Sequence, residues 1–166
     1  MKKIAFYIMV FTGIITGQKA MGQTEAEKEF NALWSLVKSN IFRIEITRVH
    51  PTAYFPDTHR FNPRGQIEFC DTVIKGDLPF FGRAYRTEYG KGAGMEFENK
   101  PENLELKIEK KKKYKSILLS FKIKSRNDCF VFTVNISPKG ACEIVVNSNN
   151  RETVSYSGQV YKTENE

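Results

Sequence analysis

Residues 129–148 read CFVFTVNISPKGACEIVVNS and contain the clearest hairpin pattern in the chain. Apolar residues occupy every second position on both sides of Ser137-Pro138-Lys139-Gly140, where proline suits the second position of a turn and glycine can adopt a positive φ. If Ser137 opposes Ala141, the apolar residues of the two arms face each other on one side of the ladder. The facing pairs are Ile136 with Cys142, Val134 with Ile144 and Phe132 with Val146. The sequence therefore predicts an antiparallel hairpin that buries one face.

The same two-residue period continues over most of the chain. It is clear at 42–46, 104–108, 117–123 and 154–160, and further strand-like stretches lie at 66–70, 72–75, 80–85 and 93–98. Short connections rich in glycine, proline, asparagine or serine separate most neighbours, and such connections favour tight turns. About eight or nine strands between residues 41 and 161 predict a mainly β domain, α+β at the margin, built as an antiparallel meander.

A single helix is expected before the strands. Thr24 followed by Glu27 forms a capping box, so the helix is predicted over about residues 24–38. Its apolar residues recur at spacings of three and four and form one stripe: Ala26, Phe30, Leu33, Trp34 and Val37. With one helix available as a cover, we expect a strongly curved sheet or a lipocalin-like barrel, with the helix at a mouth or an edge. A two-sheet β-sandwich is the alternative.

The first residues have the pattern of a cleavable secretory signal peptide. A short positive head, MKK, precedes an apolar run of about a dozen residues, which is too short to span a bilayer as a stable helix. Ala20 and Gly22 fit the small residues that signal peptidase requires, which places the cut before Gln23. A cut after Ala20 and an uncleaved anchor helix are the alternatives. We expect a periplasmic or secreted protein with a signal peptide at 1–22 and a single domain at 23–166.

Length and composition agree with one globular domain. The chain has 166 residues, of which 40% are hydrophobic and 27% charged, so it is too apolar for a disordered tail. Without the three lysines of the signal peptide, the formal charge falls from +7 to +4. The remaining basic run at 110–115 is expected to be the solvated tip of a hairpin, with attraction to anionic lipid or polysaccharide as the alternative. No nucleic-acid motif is present, so no nucleic-acid partner is expected.

One long connection interrupts the meander. Residues 50–65 contain three prolines together with the aromatic residues Tyr54, Phe55 and Phe61. Connections of this length without secondary structure are uncommon in compact domains and are often functional. These aromatic side chains are therefore candidate binding residues. The alternative is a strap whose aromatic residues plug one end of the barrel.

The three cysteines do not form a disulfide framework. Cys142 is expected on the buried face of the hairpin, where a free cysteine behaves as a small hydrophobe, and it points away from Cys129. Cys70 with Cys129 is the pair least excluded from forming a disulfide. Since Cys70 is the first cysteine of the chain, none follows the apolar run closely enough to accept a lipid anchor.

The sequence contains no recognisable catalytic or metal-binding set. The two histidines, His50 and His59, match no zinc spacing, and no serine nucleophile elbow occurs. No cofactor and no metal are expected. The alternative is a hydrolase-type enzyme acting on envelope material, which would require His50, His59, Asp57 or Cys70 to converge within hydrogen-bonding reach.

Two arginines stand beside aromatic residues. Arg83 lies in a Phe-Phe-Gly-Arg-Ala-Tyr run that ends at Tyr85, and Arg151 precedes the last strand, which contains Tyr156. Burying an arginine costs free energy unless the arginine is paired, so each one either points to solvent or anchors a polar network. The more specific hypothesis is that these arginines hold an anion or a carboxylate. The candidate binding residues are Tyr54, Phe55, Phe61, Arg83, Tyr85, Arg151 and Tyr156.

The same segments resemble the signature of a known family. Residues 76–85 read GDLPFFGRAY, residues 94–97 read GMEF, and the chain closes with NNR at 149–151 and SYSG at 155–158. This pattern resembles the domain of unknown function 4251 family, small signal-peptide-bearing proteins found mainly in Bacteroidetes, over about residues 28–161. The resemblance implies an envelope location and a mainly β, barrel-like domain. It implies no activity, so no catalytic residues are transferred.

These features together predict a non-enzymatic ligand-binding or protein-interaction module of the cell envelope. Its expected partner is a small apolar ligand, a peptide or an envelope protein. A structural subunit of an envelope assembly is a further hypothesis, and it predicts an exposed apolar patch or an unpaired strand edge.

Overall fold

The structure, a computed structural model, describes residues 25–51, 64–85, 94–110, 114–125 and 128–163. The predicted signal peptide at 1–22 lies outside these residues. So do most of the predicted 50–65 connection and five of its candidate residues: Tyr54, Phe55, Asp57, His59 and Phe61.

One helix precedes nine antiparallel strands in the described part of the chain. The elements are α1 (Glu25–Lys38), β1 (Ile41–Pro51), β2 (Gln66–Cys70), β3 (Val73–Leu78), β4 (Met95–Asn99), β5 (Glu102–Lys110), β6 (Lys115–Lys124), β7 (Cys129–Ile136), β8 (Ala141–Ser148) and β9 (Val154–Lys162). The strands form one sheet in the order β4-β3-β2-β1-β9-β8-β7-β6-β5, which curls strongly into a half-barrel. The predicted curved meander is confirmed. The two-sheet sandwich is wrong, because all nine strands share one sheet.

The predicted register of the β7–β8 hairpin is confirmed. Ile136 pairs with Cys142, Val134 with Ile144 and Phe132 with Val146, and the Ser137 amide donates to the carbonyl of Ala141 at 2.8 Å. Gly140 closes the turn with a φ of 83°, a conformation that glycine adopts without a Cβ penalty. The local pattern therefore specifies this hairpin completely.

The predicted strand at 80–85 is wrong. β3 continues to Leu78, beyond the predicted end at residue 75, and then Pro79 begins an irregular segment in which only Ala84 forms an isolated bridge, with Arg151. Proline removes a ladder donor, so a strand rarely continues through it in the interior of a sheet. Residues 79–85 therefore cross one end of the sheet instead of joining it.

The pairing of β9 with β1 joins the first and the last strand of the chain inside the sheet, which leaves β4 and β5 as its two edges. β4 also contacts strands near the other edge of the sheet: the Asn99 side-chain amide donates to the Lys124 carbonyl at 2.8 Å, and the ring of Phe97 lies 5.2 Å from that of Phe132. β5 follows β4 directly in the chain and pairs with β6. The β4 edge therefore lies close to β6 and β7, and β5 forms the other edge of the sheet.

Aromatic rings fill the centre of the curl. Phe42 stacks on Phe69 at 4.2 Å, Phe69 meets Phe121 edge-on at 5.5 Å, and Phe121 stacks on Phe132 at 4.7 Å. All four side chains are buried, and they belong to one continuous core. Offset-stacked and edge-on aromatic pairs add to the free energy gained from burial. The interior is thus a packed core at the level of these rings.

The helix packs at the sheet end where β1 begins. α1 buries Phe30 and Val37, and the Lys115 ammonium lies 5.8 Å from the centre of the Phe30 ring. Asn40, with a φ of 54°, ends the helical stretch, and its carbonyl accepts from the Asp71 amide of the β2–β3 turn at 2.8 Å. Asparagine tolerates this left-handed conformation better than most residues.

Candidate functional site

The two sequence segments that carry the family signature meet at the end of the sheet opposite the helix. The backbone of residues 83–85 runs antiparallel to that of residues 150–152: the Tyr85 amide donates to the Asn150 carbonyl at 2.7 Å, and the Glu152 amide donates to the Arg83 carbonyl at 3.1 Å. We call this region the junction and define it as residues 79–85, Asp128 and residues 148–153. It fixes the irregular segment after β3 onto the β8–β9 turn.

Arg151 forms the polar centre of the junction. Its Nε lies 3.6 Å from Oδ2 of Asp128, and both side chains are mostly buried, with 14% and 12% exposed. On its other side, the guanidinium carbon lies 5.2 Å from the centre of the Phe80 ring. Arginine suits such a place because its flat, weakly hydrated cation packs on aromatic faces and still pairs with a carboxylate. The carboxylate that Arg151 contacts is therefore one from its own chain.

Asp128 receives further hydrogen bonds that hold its carboxylate in place. The Ser148 hydroxyl lies 2.8 Å from Oδ1 and donates to the carboxylate, and the Cys129 amide donates to Oδ1 at 2.7 Å. The Ser148 oxygen in turn accepts from the Asn150 amide at 3.0 Å. A buried carboxylate is tolerated when it is both paired and hydrogen-bonded. Asp128 thus connects the β6–β7 and β8–β9 turns.

Tyr156 anchors the start of the irregular segment. The residue is buried, and its hydroxyl donates to the Pro79 carbonyl at 2.9 Å. Burial raises the pKa of the Tyr156 phenol above its ordinary value, although the positive charge of Arg151 opposes the shift. The phenol therefore stays protonated and remains a hydrogen-bond donor at neutral pH.

Arg83 and Tyr85 lie on the outside of the same junction. The Arg83 amide donates to Oε2 of Glu152 at 3.2 Å, and 68% of Tyr85 is exposed. The structure thus brings together four of the seven predicted binding residues: Arg83, Tyr85, Arg151 and Tyr156. It divides them into a buried pair that holds the segment and an exposed pair that faces solvent.

The structure does not bring together the described residues of the hydrolase alternative. Cys70 pairs with Ile41 at the start of β1, whereas His50 lies near the other end of that strand, about 30 Å away at the usual rise of an extended chain. His50 is exposed, and its Nε2 lies 2.9 Å from the hydroxyl of Ser157 on the sheet surface. Within the described ranges, no group of three or more His, Cys, Asp or Glu side chains is placed to hold a metal ion.

The three cysteines are free in the structure: Cys70 is exposed, Cys129 half-buried and Cys142 buried. The pair Cys70–Cys129 that the sequence left open is not bonded, because β2 ends at one end of the sheet and β7 begins at the other. Cys142 lies in the core as predicted. None of the helices in the described part is long and apolar enough to cross a bilayer.

We expect thiol labelling near pH 8 to distinguish Cys70 from Cys142. Burial raises the pKa of the Cys142 thiol to about 12, although a backbone hydrogen bond from Gly158 opposes the shift. Because the thiolate is the reactive form, Cys142 should remain unlabelled in the native protein, whereas the exposed Cys70 reacts. Peptide mass mapping after iodoacetamide treatment, with and without urea, measures this. Equal labelling of both in the native protein would contradict the packing around Cys142.

Comparison with known proteins places the chain in a family. A crystal structure of a DUF4251 family protein from Bacteroides eggerthii DSM 20697 matches the fold with a TM-score of 0.55 and 14% sequence identity, covering 81% of this chain and 88% of that one. No curated protein matches the sequence. The model of the domain of unknown function DUF4251 matches residues 24–160, which include both halves of the junction. The chain therefore belongs to the DUF4251 family.

Proposed function

We propose that this protein is a non-enzymatic protein-interaction module of the bacterial envelope, and that its contact surface is the exposed side of the junction. The observation that carries the proposal is Tyr85, which is 68% exposed although its backbone is hydrogen-bonded to the β8–β9 turn. A large aromatic side chain held in water on a fixed backbone loses little conformational entropy when a partner covers it. Periplasmic or secreted location, after cleavage before Gln23, belongs to the same proposal.

The packing of the core favours this function over an interior binding site for a small apolar ligand. Phe42, Phe69, Phe121 and Phe132 stack through the centre of the curl, where a lipocalin-type ligand would sit. Ligand pockets of that kind need several hundred cubic ångströms of room, about the volume of several phenylalanine side chains. A ligand would therefore have to displace packed rings, whereas a partner at the junction displaces only water.

The residue types at the junction also favour a protein partner. Tyrosine and arginine are enriched among the residues that dominate protein–protein binding energy, and Tyr85 lies two residues after Arg83 on the exposed side. The buried Arg151 and Tyr156 side chains hold the backbone segment that carries Arg83 and Tyr85. The contact residues are thus positioned before binding, which lowers the entropic cost of association.

Photo-crosslinking from position 85 tests the proposal. Benzoylphenylalanine replaces Tyr85 in the expressed protein, and the purified protein is irradiated with an envelope fraction of the bacterium that produces it. We expect one discrete protein adduct, whose yield falls about tenfold when Arg83→Ala is added, because residues at the centre of an interface often contribute that much. Intact mass of the exported protein, expected to begin at Gln23, reports its location in the same preparation.

Tyr161 provides the matched control, since it is an exposed aromatic residue on β9, outside the junction. Benzoylphenylalanine at position 161 should give no discrete adduct. The same adducts from both positions, or none from position 85, would overturn the contact surface. Recovery of the protein with Met1 intact from the cytosol would overturn the envelope location.

A further inference from the structure

β5 is an edge strand of the described sheet. It is nine residues long, and among the described strands it pairs with β6 alone. Leu104, Leu106 and Ile108 lie on its inner face, since Leu106 and Ile108 pair with the buried Leu119 and Ile117 of β6. Yet 37% of Leu104 and 41% of Ile108 remain exposed. Natural edge strands usually avoid association by being short or by directing charges inward, and the inner face here has apolar residues.

The sequence of β5 is complementary to itself when it is reversed. Residues 102–110 read ENLELKIEK, and Leu106 is the central residue. In an antiparallel pair centred on Leu106, each residue faces its counterpart at the same distance from the centre. The facing pairs are Leu106 with Leu106, Glu105 with Lys107, Leu104 with Ile108, Asn103 with Glu109, and Glu102 with Lys110. Apart from Asn103 with Glu109, every facing pair is either apolar or oppositely charged.

We propose that β5 pairs with β5 of a second copy of this chain, antiparallel and with the two-fold axis at Leu106. Such an interface uses the same surface on both copies, which is the common form of a symmetric dimer. It joins the two sheets through new backbone hydrogen bonds and covers Leu104 and Ile108 against each other. This inference is independent of the proposed contact surface at the junction.

Charge selects this register over its neighbours. Centring the pair on Lys107 would place the two Lys107 side chains opposite each other and Glu105 opposite Glu109, while centring it on Glu105 would oppose two carboxylates. Like charges directly opposite each other destabilise a ladder. A shift by a single residue would turn the apolar side chains of one copy towards the charged side chains of the other.

The local structure concentrates the interface on residues 104–108. The β5–β6 ladder shifts register between Glu102 and Glu105, where Asn103 has a φ of 51°, and Glu102 already bonds Lys124 at 2.8 Å. Lys107 donates to Glu105 of its own strand at 2.6 Å on the outer face. In the dimer, two such pairs lie side by side with alternating charges. An interface of this size is small, so we expect an association that depends on concentration, in the micromolar range.

Sedimentation velocity tests the β5–β5 pairing. The protein is expressed from the whole given sequence, purified and measured over a wide range of concentrations. Wild type should form a reversible dimer, and Glu105→Lys or Lys107→Glu alone should weaken it about tenfold or more, because each change makes two symmetric contacts repulsive. An equimolar mixture of the two single variants should form a heterodimer, since the like-charged edges then complement each other. The double variant, with both charges exchanged, should regain the homodimer.

The heterodimer of the two single variants and the homodimer of the double variant show whether a single variant fails to dimerise because its charges repel or because it does not fold. Lys139→Glu, an exposed charge reversal in the β7–β8 turn, is the matched control and should leave dimerisation unchanged. Urea unfolding should give closely similar midpoints for all these variants, because exposed ion pairs contribute little to stability. A wild-type protein that stays monomeric into the millimolar range would overturn the proposal. So would a dimer that the single charge reversals do not weaken, or single variants that fail to associate when mixed.

Discussion

Phe132→Ala is expected to lower the free energy of unfolding by about 3–5 kcal/mol, the usual cost of truncating a buried phenylalanine. Phe132 is fully buried on β7, and its ring contacts three others: Phe121 at 4.7 Å, Phe97 at 5.2 Å and Phe130 at 6.4 Å. The substitution therefore removes contacts between β4, β6 and β7 at once. Since a domain of this size is stable by about 5–15 kcal/mol, the variant should unfold at much lower urea concentration.

Val131→Ala is the control for this prediction. Val131 is the preceding residue on the same strand, but its side chain points outward and is 41% exposed. We expect its replacement to change the free energy of unfolding by less than about 1 kcal/mol. If Phe132→Ala cost no more than Val131→Ala, the rings would not form the packed centre that argues against an interior ligand site.

The sequence predicts the local parts of this fold well because their determinants are local. Alternating apolar residues and a turn with proline and glycine specify the register of the β7–β8 hairpin, in which partners lie a few residues apart. The pairing of β1 with β9 has no such signal, since Ile44 and Val160 are far apart in sequence. The two-residue period of a strand also identifies its apolar face, but it does not show which element covers that face. The period at 104–108 therefore predicts a strand with one apolar face, but not that its position at the sheet edge leaves Leu104 and Ile108 exposed.

The candidate site, too, is predicted only where its determinants are local. The aromatic and arginine residues at 80–85 and 151–156 indicate a polar region near strand ends, and the structure places both segments at one end of the sheet. The acidic partner of Arg151 could not be identified, because Asp128 lies in a different turn and resembles any other turn aspartate in sequence. The pattern also predicts a strand at residues 80–85, since it does not show that Pro79 diverts the chain across the sheet end.

Arg151→Ala is expected to lower the free energy of unfolding by about 3 kcal/mol, because removing one partner of a mostly buried ion pair leaves the other charge uncompensated. The substitution takes the guanidinium away from Asp128 and from the Phe80 ring. Asp128 keeps its hydrogen bonds from Ser148 and Cys129, so its carboxylate stays in place but loses the nearby cation. Urea unfolding, followed by fluorescence of Trp34, measures the loss.

Arg83→Ala and Asp128→Asn are the controls for this prediction. Arg83→Ala removes an exposed arginine from the same junction, and it should change the free energy of unfolding by no more than about 0.5 kcal/mol. Asp128→Asn should be less destabilising in the Arg151→Ala background than in wild type, because a neutral amide leaves no buried charge without a partner. If Arg151→Ala were as mild as Arg83→Ala, and the two effects at 128 and 151 simply added, the ion pair would not hold the junction together. The hydrogen-bonded backbone beneath Tyr85 would then not depend on this ion pair.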